Sequence, residues 1–346
     1  MKTRPLGNTT LEVSEICLGT MTWGSQNTQE QAFEQMNYAL SKEVNFWDTA
    51  ELYPVPPAAD TVHRTEEIIG NYFDIHKNRD KVILATKVTG MGIPHIRSGT
   101  GITPQSIDTA LEGSLRRLKT DYIDLYQLHW PNRQTYHFGN LKPNYTAVNS
   151  TQARDEHLAI LEQLQKHIKA GKIRHIGLSD DTAWGTMTYA ELSRTHNLPK
   201  MVSLQNEYSL LNRKFEQELQ EIALFEKIGL LAWSPLACGA ISGKYLDGQC
   251  PKGSRKDYQK GRNSFRDTPA SDSAIRAYIA LAQSYNLDVC QMALAYLLTK
   301  PFMTAVIIGA TTMAQLETNI AAADITLPQE VISKIDMIYR NHAFCF

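Results

Sequence analysis

The chain has 346 residues, of which 42% are hydrophobic, and it carries 35 lysines and arginines against 36 aspartates and glutamates. This composition is typical of a folded globular protein and excludes extensive intrinsic disorder. The formal net charge of -1 argues against a protein dedicated to nucleic acid, because such proteins usually present a basic surface. The length fits either two domains or one large α/β barrel.

The five cysteines are far apart and form no C-x-x-C pair, which predicts neither a disulfide framework nor a zinc site. The N-terminus lacks the apolar core of a signal peptide. No apolar run approaches the ~20 residues of a membrane helix. We therefore expect a cytoplasmic protein without a membrane or nucleic-acid partner.

In chain order, the first predicted element is a β-hairpin at about residues 2–13, turning at Gly7-Asn8. Short apolar runs then alternate with longer segments of helical period. Their near-continuous apolar character is typical of parallel strands that are buried on both faces. The runs are 16–20, 45–48, 82–87, 123–129, 173–179, 201–206, 230–233 and 305–309.

The segments that follow these runs predict helices. Ile107, Ala110, Leu111 and Leu118 follow helical spacing behind Thr103-Pro104, which is a favourable helix start. The other segments are 28–40, 65–75, 153–170, 182–195, 215–222, 275–282 and 313–322, with a tail helix at about 329–340.

Eight strand-and-helix units predict a (β/α)8 TIM barrel, although an open doubly wound sheet has the same periodicity. No Pro/Gly/Ser-rich linker divides the chain, so we expect one domain over residues 1–346. Three polar segments, 90–101, 131–152 and 245–272, each follow a strand. We expect them to form long loops at the carboxyl face of the barrel.

Polar side chains end the apolar runs. The second run ends in Asp48, with Tyr53 shortly after it, the third in Lys87 and the fourth in His129. Taken singly, each has an ordinary structural explanation as a turn, solvated or packing residue. Because buried charges are costly unless paired and strand ends meet at one barrel mouth, the sequence favours one shared site.

At these residues the chain resembles the aldo-keto reductase superfamily, and within it the Tas-like reductases, which are related to the β subunits of voltage-gated potassium channels. The resemblance runs from residue 6 to about 327. It implies a (β/α)8 barrel that binds NADPH without a G-x-G-x-x-G fingerprint, and the first predicted strand is followed by none. The motifs are Asp48-Thr49-Ala50, Ala85-Thr86-Lys87, Gln127-Leu128-His129-Trp130, Ser203-Leu204-Gln205-Asn206, Trp233-Ser234-Pro235-Leu236, Gly243-Lys244-Tyr245 and Ile308-Gly309-Ala310-Thr311.

The resemblance implies NADPH-dependent reduction of an aldehyde or ketone to an alcohol by hydride transfer. Tyr53 is then the general acid, and Lys87 lowers its pKa. Asp48 keeps Lys87 charged and oriented, and His129 orients the substrate carbonyl. The residues expected to wall the substrate pocket are Trp23, Tyr53 and Trp130.

The resemblance also implies a set of cofactor contacts. Trp233 stacks on the nicotinamide, Lys244 is a charge partner of the pyrophosphate, and Arg255 meets the 2′-phosphate, which favours NADP over NAD. Gly309 and Thr311 open the last helix, whose N-terminus suits phosphate. The remaining contacts are Gly19, Thr20, Met21, Asp48, Ser179, Asp180 and Gln205 at the nicotinamide end, Ser234, Pro235, Leu236 and Gly239 along the pyrophosphate, and Gln315 and Asn319 near the adenine.

Two positions depart from the family pattern: Asp180 replaces the usual Asn, and Thr318 replaces a frequent Glu. Two other functions stay open from the sequence. One is an NADPH-binding regulatory or redox-sensing subunit with little turnover. The channel subunits of the family differ at the position of His129, whereas this chain keeps the histidine. The other is a metal-dependent barrel hydrolase, although neither H-x-H nor H-E-x-x-H occurs. No metal is expected.

Overall fold

The computed structural model describes residues 1–140, 142–145, 148–259 and 264–346. The chain begins with the predicted hairpin, in which β1 (Thr3–Pro5) pairs antiparallel with β2 (Glu12–Ser14). Gly7 has φ +58°, and a Cβ there would lie 2.2 Å from the carbonyl oxygen of Val202, so only glycine fits this turn. The hairpin therefore packs directly against the barrel.

Within the described residues, eight parallel strands form a closed barrel in the order β10-β3-β4-β5-β6-β7-β8-β9. Closure confirms the (β/α)8 barrel and excludes the open doubly wound sheet, because β10 pairs with both β3 and β9. The strands are β3 (Ile16–Gly19), β4 (Phe46–Asp48), β5 (Ile83–Val88), β6 (Ile123–Leu128), β7 (Ile173–Ser179), β8 (Met201–Glu207), β9 (Gly229–Trp233) and β10 (Met303–Ile308).

Helices surround the barrel, and their ends carry the local signals seen in the sequence. Thr103 and Ser106 form a capping box and Pro104 takes the first helical position. The helices are α1 (Gln29–Ser41), α2 (Arg64–His76), α3 (Pro104–Leu118), α4 (Ser150–Lys169), α5 (Ala183–Thr195), α6 (Leu219–Glu226), α7 (Arg255–Tyr258), α8 (Pro269–Ser284), α9 (Val289–Leu298), α10 (Met313–Ala321) and α11 (Gln329–Asn341).

Helix α9 is absent from the sequence predictions. Its residues Met292, Ala293, Leu294, Ala295, Tyr296 and Leu297 are all buried. A helix covered on every side has no polar face, so it lacks the periodic pattern by which amphipathic helices are found. The tail helix α11 is confirmed within one residue of its predicted end.

The core has two main parts, besides a smaller cluster around Tyr53 that is described with the site. A small cluster fills the barrel and includes Leu6 and Val13 of the hairpin with Phe46, Leu125 and Leu231. A much larger cluster joins the outer faces of the strands to the helices. The hairpin therefore plugs the amino end of the barrel and leaves the carboxyl end as the place for a site.

The three long polar segments follow β5, β6 and β9, as predicted. In the first, Arg97 pairs with Glu51 and donates to the carbonyl of Thr89. In the third, Arg266 pairs with Glu207 at the end of β8. Parts of the predicted second and third loops, residues 141, 146–147 and 260–263, lie outside the described residues. No helix in the described part of the chain is long and apolar enough to cross a membrane.

Candidate active site

Lys87 is the centre of the candidate site. It lies near the carboxyl end of β5 and is fully buried. Its ammonium Nζ donates to Asp48 Oδ2 at 2.7 Å and to the carbonyl of Thr49 at 2.8 Å, and it lies 3.4 Å from Tyr53 Oη. Burial alone would lower the pKa of Lys87, but the charges and hydrogen bonds of Asp48 and Tyr53 raise it above its ordinary value. Lys87 is therefore a cation at neutral pH.

Strand register explains why these groups meet. Gly19 is level with Asp48, Asp48 with Ala85, and Lys87 with Gln127 in neighbouring strands of the barrel. Side chains that end strands at similar heights must then point into one mouth.

The second oxygen of Asp48 is held by two glutamines. Gln205 Nε2 donates to Asp48 Oδ1 at 2.8 Å and Gln127 Nε2 does so at 3.2 Å. Gln205 Nε2 also donates to Gln127 Oε1 at 3.1 Å, so its amide hydrogens are used inside the protein and its carbonyl oxygen is left for a ligand. Gln127 was not among the predicted site residues. The available signal was a polar side chain two residues before His129 in an apolar strand.

The pKa of Tyr53 differs from the sequence expectation. Burial raises the pKa of the Tyr53 hydroxyl above its ordinary value, and the opposing effect of Lys87 does not overcome it. Lys87 does lower this pKa, as expected, but burial outweighs its effect and the net shift is upward. The reason is that the same closure that brings Lys87 near also removes water from the phenol, which penalises the phenolate. Tyr53 stays protonated at neutral pH.

His129 follows β6 and packs edge-on against Tyr53, with ring centroids 5.8 Å apart. Burial, with a smaller contribution from Lys87, holds the pKa of His129 well below its ordinary value. The imidazole is therefore neutral at neutral pH. Its Nδ1 is buried and makes no hydrogen bond.

An apolar rim surrounds Tyr53. Trp130 lies beside His129, with ring centroids 4.7 Å apart, and its indole donates to the carbonyl of Met91. A Cβ at Gly90 would lie 2.2 Å from Trp130 Nε1, so this glycine makes room for the indole. The rim cluster consists of Ala50, Leu52, Tyr53 and Ile96 with the partly buried Met21, Val55, Val62, Ile93 and Trp130.

Trp23 and Thr20 have different roles from those predicted. Trp23 has no exposed surface and donates its indole hydrogen to Gln35 of α1, so it is a core residue and not a wall of the pocket. Thr20 is equally buried, and its hydroxyl donates to the carbonyl of Asp48. Both side chains are buried and bonded to the protein itself.

Asp180 follows β7 in a left-handed conformation with φ +50°, one that aspartate and asparagine tolerate better than most residues. Its Oδ1 accepts a hydrogen bond from Trp233 Nε1 at 3.0 Å. Burial raises the pKa of Asp180 well above its ordinary value. Nδ1 of His137, whose pKa burial lowers to about 4, lies 3.5 Å from the same oxygen.

Among the described residues, Trp233 has one ring partner. Phe138, from the second long loop, stacks on it with centroids 5.6 Å apart and an interplanar angle of 21°. Phe138 was not singled out from the sequence, and its exposed fraction of 57% shows that it lies at the surface of the mouth. The buried Ser179 precedes Asp180 at the end of β7.

The loop after β9 crosses the mouth. Nη2 of Arg255, at the start of α7, lies 3.9 Å from Met21 Sδ, and its buried Nε makes no hydrogen bond. Ser234, which precedes Pro235 and Leu236, lies 3.2 Å from Cys238 Sγ through its hydroxyl. A Cβ at Gly239 would lie 3.1 Å from Lys244 Nζ. This loop therefore brings a guanidinium and an ammonium to the carboxyl face.

The segment before α10 is held by its own polar groups. Thr311 donates its amide to Gln315 Oε1 at 3.0 Å, and Asn319 Nδ2 donates to the carbonyl of Gly309 at 3.4 Å. The helix starts at Met313, as predicted, behind the cap Thr312, so Gly309 and Thr311 precede it. A Cβ at Gly309 would meet nothing within 4 Å, so open space lies beside this backbone. The Thr318 hydroxyl donates to the carbonyl of Ala314.

Among the residues that the structure describes, no three or more His, Cys, Asp or Glu side chains form a group that could hold a metal ion.

A buried Lys-Asp pair, a protonated tyrosine and a neutral histidine at the mouth of a (β/α)8 barrel define a class of oxidoreductase. The Aldo/keto reductase family model matches residues 15–340, and the chain belongs to that family. It is 41% identical to Protein tas of Escherichia coli (strain K12) over 350 residues, covering 99% of each chain. It is also 32% identical over 347 residues to the Uncharacterized oxidoreductase YrpG of Bacillus subtilis (strain 168), covering 96% and 94%. A third relative is an Aldo-keto reductase of Babesia bovis, 36% identical over 253 residues and covering 69% and 88%.

Proposed function

We propose that this protein is an NADPH-dependent reductase that converts aldehydes or ketones to alcohols. One observation carries the proposal: the Lys87 ammonium contacts both Asp48 Oδ2, at 2.7 Å, and Tyr53 Oη, at 3.4 Å. A buried cation between a carboxylate and a phenol is suited to a proton transfer from that phenol, since it stabilises the phenolate that remains.

Tyr53 is the proton donor in this proposal. Its raised pKa keeps the phenol protonated over the physiological range. An alkoxide that develops on a reduced carbonyl is a stronger base than phenolate, so the proton moves from Tyr53 Oη to that oxygen. Lys87 then compensates the charge left on Tyr53, and Asp48 keeps Lys87 in place.

His129 orients the substrate. Its imidazole is neutral, so one ring nitrogen carries a proton that it can donate to a carbonyl oxygen. The ring lies edge-on to Tyr53, which lets one carbonyl oxygen meet both groups. Positioning of this kind lowers the barrier by fixing the approach of the reactants.

The described residues fit a nicotinamide dinucleotide. Arg255 Nε is buried without a partner, open space lies beside Gly309, and Lys244 reaches the backbone of Gly239. Family members typically use NAD(P)H, and the bound nicotinamide supplies the hydride. Gln205 offers its carbonyl oxygen and Trp233 its ring at the mouth. We further propose that Arg255 makes NADPH preferred over NADH, because a guanidinium pairs well with a 2′-phosphate.

The test is NADPH oxidation with a panel of aldehydes, ketones and quinones, comparing the wild type with Tyr53→Phe. The loss of general acid catalysis is expected to reduce kcat at least about 100-fold. The matched control is Tyr126→Phe, which removes the hydroxyl of a buried tyrosine on β6 whose Oη makes no hydrogen bond; its kcat is expected to stay near wild type.

Two outcomes would contradict the proposal. A Tyr53→Phe enzyme as fast as the wild type would remove Tyr53 from the chemistry. A wild type that binds NADPH tightly but oxidises it with no carbonyl compound would instead favour the regulatory or redox-sensing subunit.

A further inference from the structure

Tyr245 carries a buried hydroxyl with no hydrogen-bond partner. The side chain is 8% exposed, and its Oη is buried and unpaired in the structure. The predicted site residues of the mouth do not include it. Buried polar atoms without partners are uncommon because they lose water and gain nothing in return. Such an atom beside a binding site is therefore a candidate contact for the missing ligand.

The hydroxyl lies beside Gly239, in the loop that follows β9. Gly239 has φ +92°, and a Cβ built there would lie 3.5 Å from Tyr245 Oη and 3.1 Å from Lys244 Nζ. The phenol and the ammonium therefore converge on one side of the same backbone unit. A Cβ here would crowd both side chains, so the glycine lets the lysine and the tyrosine lie close to this backbone.

The surroundings of Tyr245 are positively charged. Lys244 Nζ lies 5.2 Å from the centroid of its ring and Lys256 Nζ lies 5.7 Å from it. Lys256 is paired with Asp267 at 2.9 Å. No carboxylate of the described residues lies within salt-bridge distance of Lys244, so its charge is available to an anion.

We propose that Tyr245 is a further binding residue, whose hydroxyl donates a hydrogen bond to a pyrophosphate oxygen of NADPH beside Lys244. This inference rests on the proposed function. The pyrophosphate is favoured over the 2′-phosphate because Gly239 lies in the chain between Trp233, at the nicotinamide end, and Arg255, the proposed contact of the 2′-phosphate. A phosphate oxygen gives the hydroxyl the acceptor that the protein does not provide.

The test is Tyr245→Phe, which keeps the ring between the two lysines and removes only the hydroxyl. Calorimetric titration of NADPH and of NADH is expected to show Kd raised about tenfold for both, the size of one hydrogen bond to a charged group. The Tm of the ligand-free protein is expected to stay equal or to rise, because the variant no longer buries an unpaired polar atom. The control is Tyr258→Phe, an exposed tyrosine of the same loop, with unchanged Kd and Tm.

Each other outcome has its own meaning. If the wild type binds neither NADPH nor NADH, the proposed function fails. If the wild type binds NADPH and Tyr245→Phe binds it equally well, this inference alone is overturned. A Kd raised for NADPH but not for NADH would indicate that the hydroxyl contacts the 2′-phosphate, and would overturn the pyrophosphate contact. A weaker Kd together with a lower Tm of the ligand-free protein would show a structural role and overturn the binding role.

Discussion

Two ends of one barrel use buried charge differently. At the amino end, Asp124 is the second residue of β6 and is almost fully buried. Its Oδ2 accepts from Arg79 Nη2 at 2.7 Å and from the amide of Leu84 at 2.9 Å, while its Oδ1 accepts from Arg174 Nη1 at 2.6 Å. Both guanidinium groups lie over the ring of Tyr122, each 4.2 Å from its centroid. This cluster needs no ligand to be complete.

At the carboxyl end, the Lys87–Asp48 pair is as deeply buried, but the groups around the mouth are not all paired. His129 Nδ1, Arg255 Nε and Tyr245 Oη are buried without hydrogen bonds. Unpaired buried atoms lower stability, and at the mouth of the barrel a bound ligand would supply hydrogen-bond partners for these three. The comparison indicates that the amino end serves stability and the carboxyl end serves binding and chemistry.

The largest expected effect comes from a substitution of Lys87 at the carboxyl end. Lys87→Met removes the cation beside Tyr53, and kcat/KM for NADPH-dependent carbonyl reduction is expected to fall about 10³-fold. Steady-state NADPH oxidation measures it. The control is Lys300→Met, which removes a partly buried lysine that bonds Tyr296 and precedes β10, at the amino end of that strand. A Lys87→Met enzyme that keeps kcat/KM within tenfold of the wild type would contradict a catalytic role for the buried charge at the carboxyl end.

The second prediction addresses the amino end. Asp124→Asn leaves Arg79 and Arg174 without their counter-charge, and the free energy of unfolding is expected to fall by about 3 kcal/mol. The kcat of the folded variant is expected to stay at the wild-type value. Urea denaturation and steady-state kinetics together decide this, and a loss of kcat without a loss of stability would show that the amino end also serves the chemistry.

The third prediction concerns the unpaired guanidinium at the mouth. In Arg255→Gln, the Kd for NADPH is expected to rise about 30-fold while the Kd for NADH stays constant, as lost hydrogen bonds to a charged group predict. Fluorescence titration with each cofactor measures both. Arg276→Gln, which removes an exposed arginine paired with Asp247, is the control. An equal rise in Kd for both cofactors would contradict a contact between Arg255 and the 2′-phosphate.

The smallest expected effect uses a buried histidine outside the mouth. His157 packs against Trp184 and Tyr189, and burial lowers its pKa to about 3. The unfolded state takes up a proton below the ordinary pKa of 6.5 while the folded state does not, so stability falls as the pH drops from 6.5 towards 4. His157→Gln is expected to reduce this slope by about 1.4 kcal/mol per pH unit. Urea unfolding at several pH values measures the slope, and parallel curves for the two proteins would contradict the low pKa.

Much of the barrel follows from local pattern. The apolar runs that end in Asp48, Lys87 and His129 each became a strand of the closed barrel, because strands buried on both faces must be apolar along their length. Helix α9 could not be predicted from local pattern, because burial on all sides removes its periodicity. The family motifs added catalytic roles for Asp48, Tyr53, Lys87 and His129 and a set of cofactor contacts. These roles stay predictions for this chain.

Other features depend on contacts between distant segments. Gln127 joins the site only because β6 lies between β5 and β7 in the barrel, and Phe138 reaches Trp233 across a long loop. Trp23 looked like a pocket residue by position, but α1 covers it. Packing of this kind is set by the whole fold and leaves no trace in the spacing of residues.

The sequence by itself determined a nearly neutral chain with eight strand–helix units and polar groups at the strand ends, because periodicity and the cost of buried charge act locally. Only the tertiary structure decided how water is excluded around those groups. Barrel closure raises the pKa of Tyr53 against the effect of Lys87, keeps His129 neutral and leaves Tyr245 without a partner. These properties depend on desolvation, which is a sum over all neighbouring atoms in space and not along the chain.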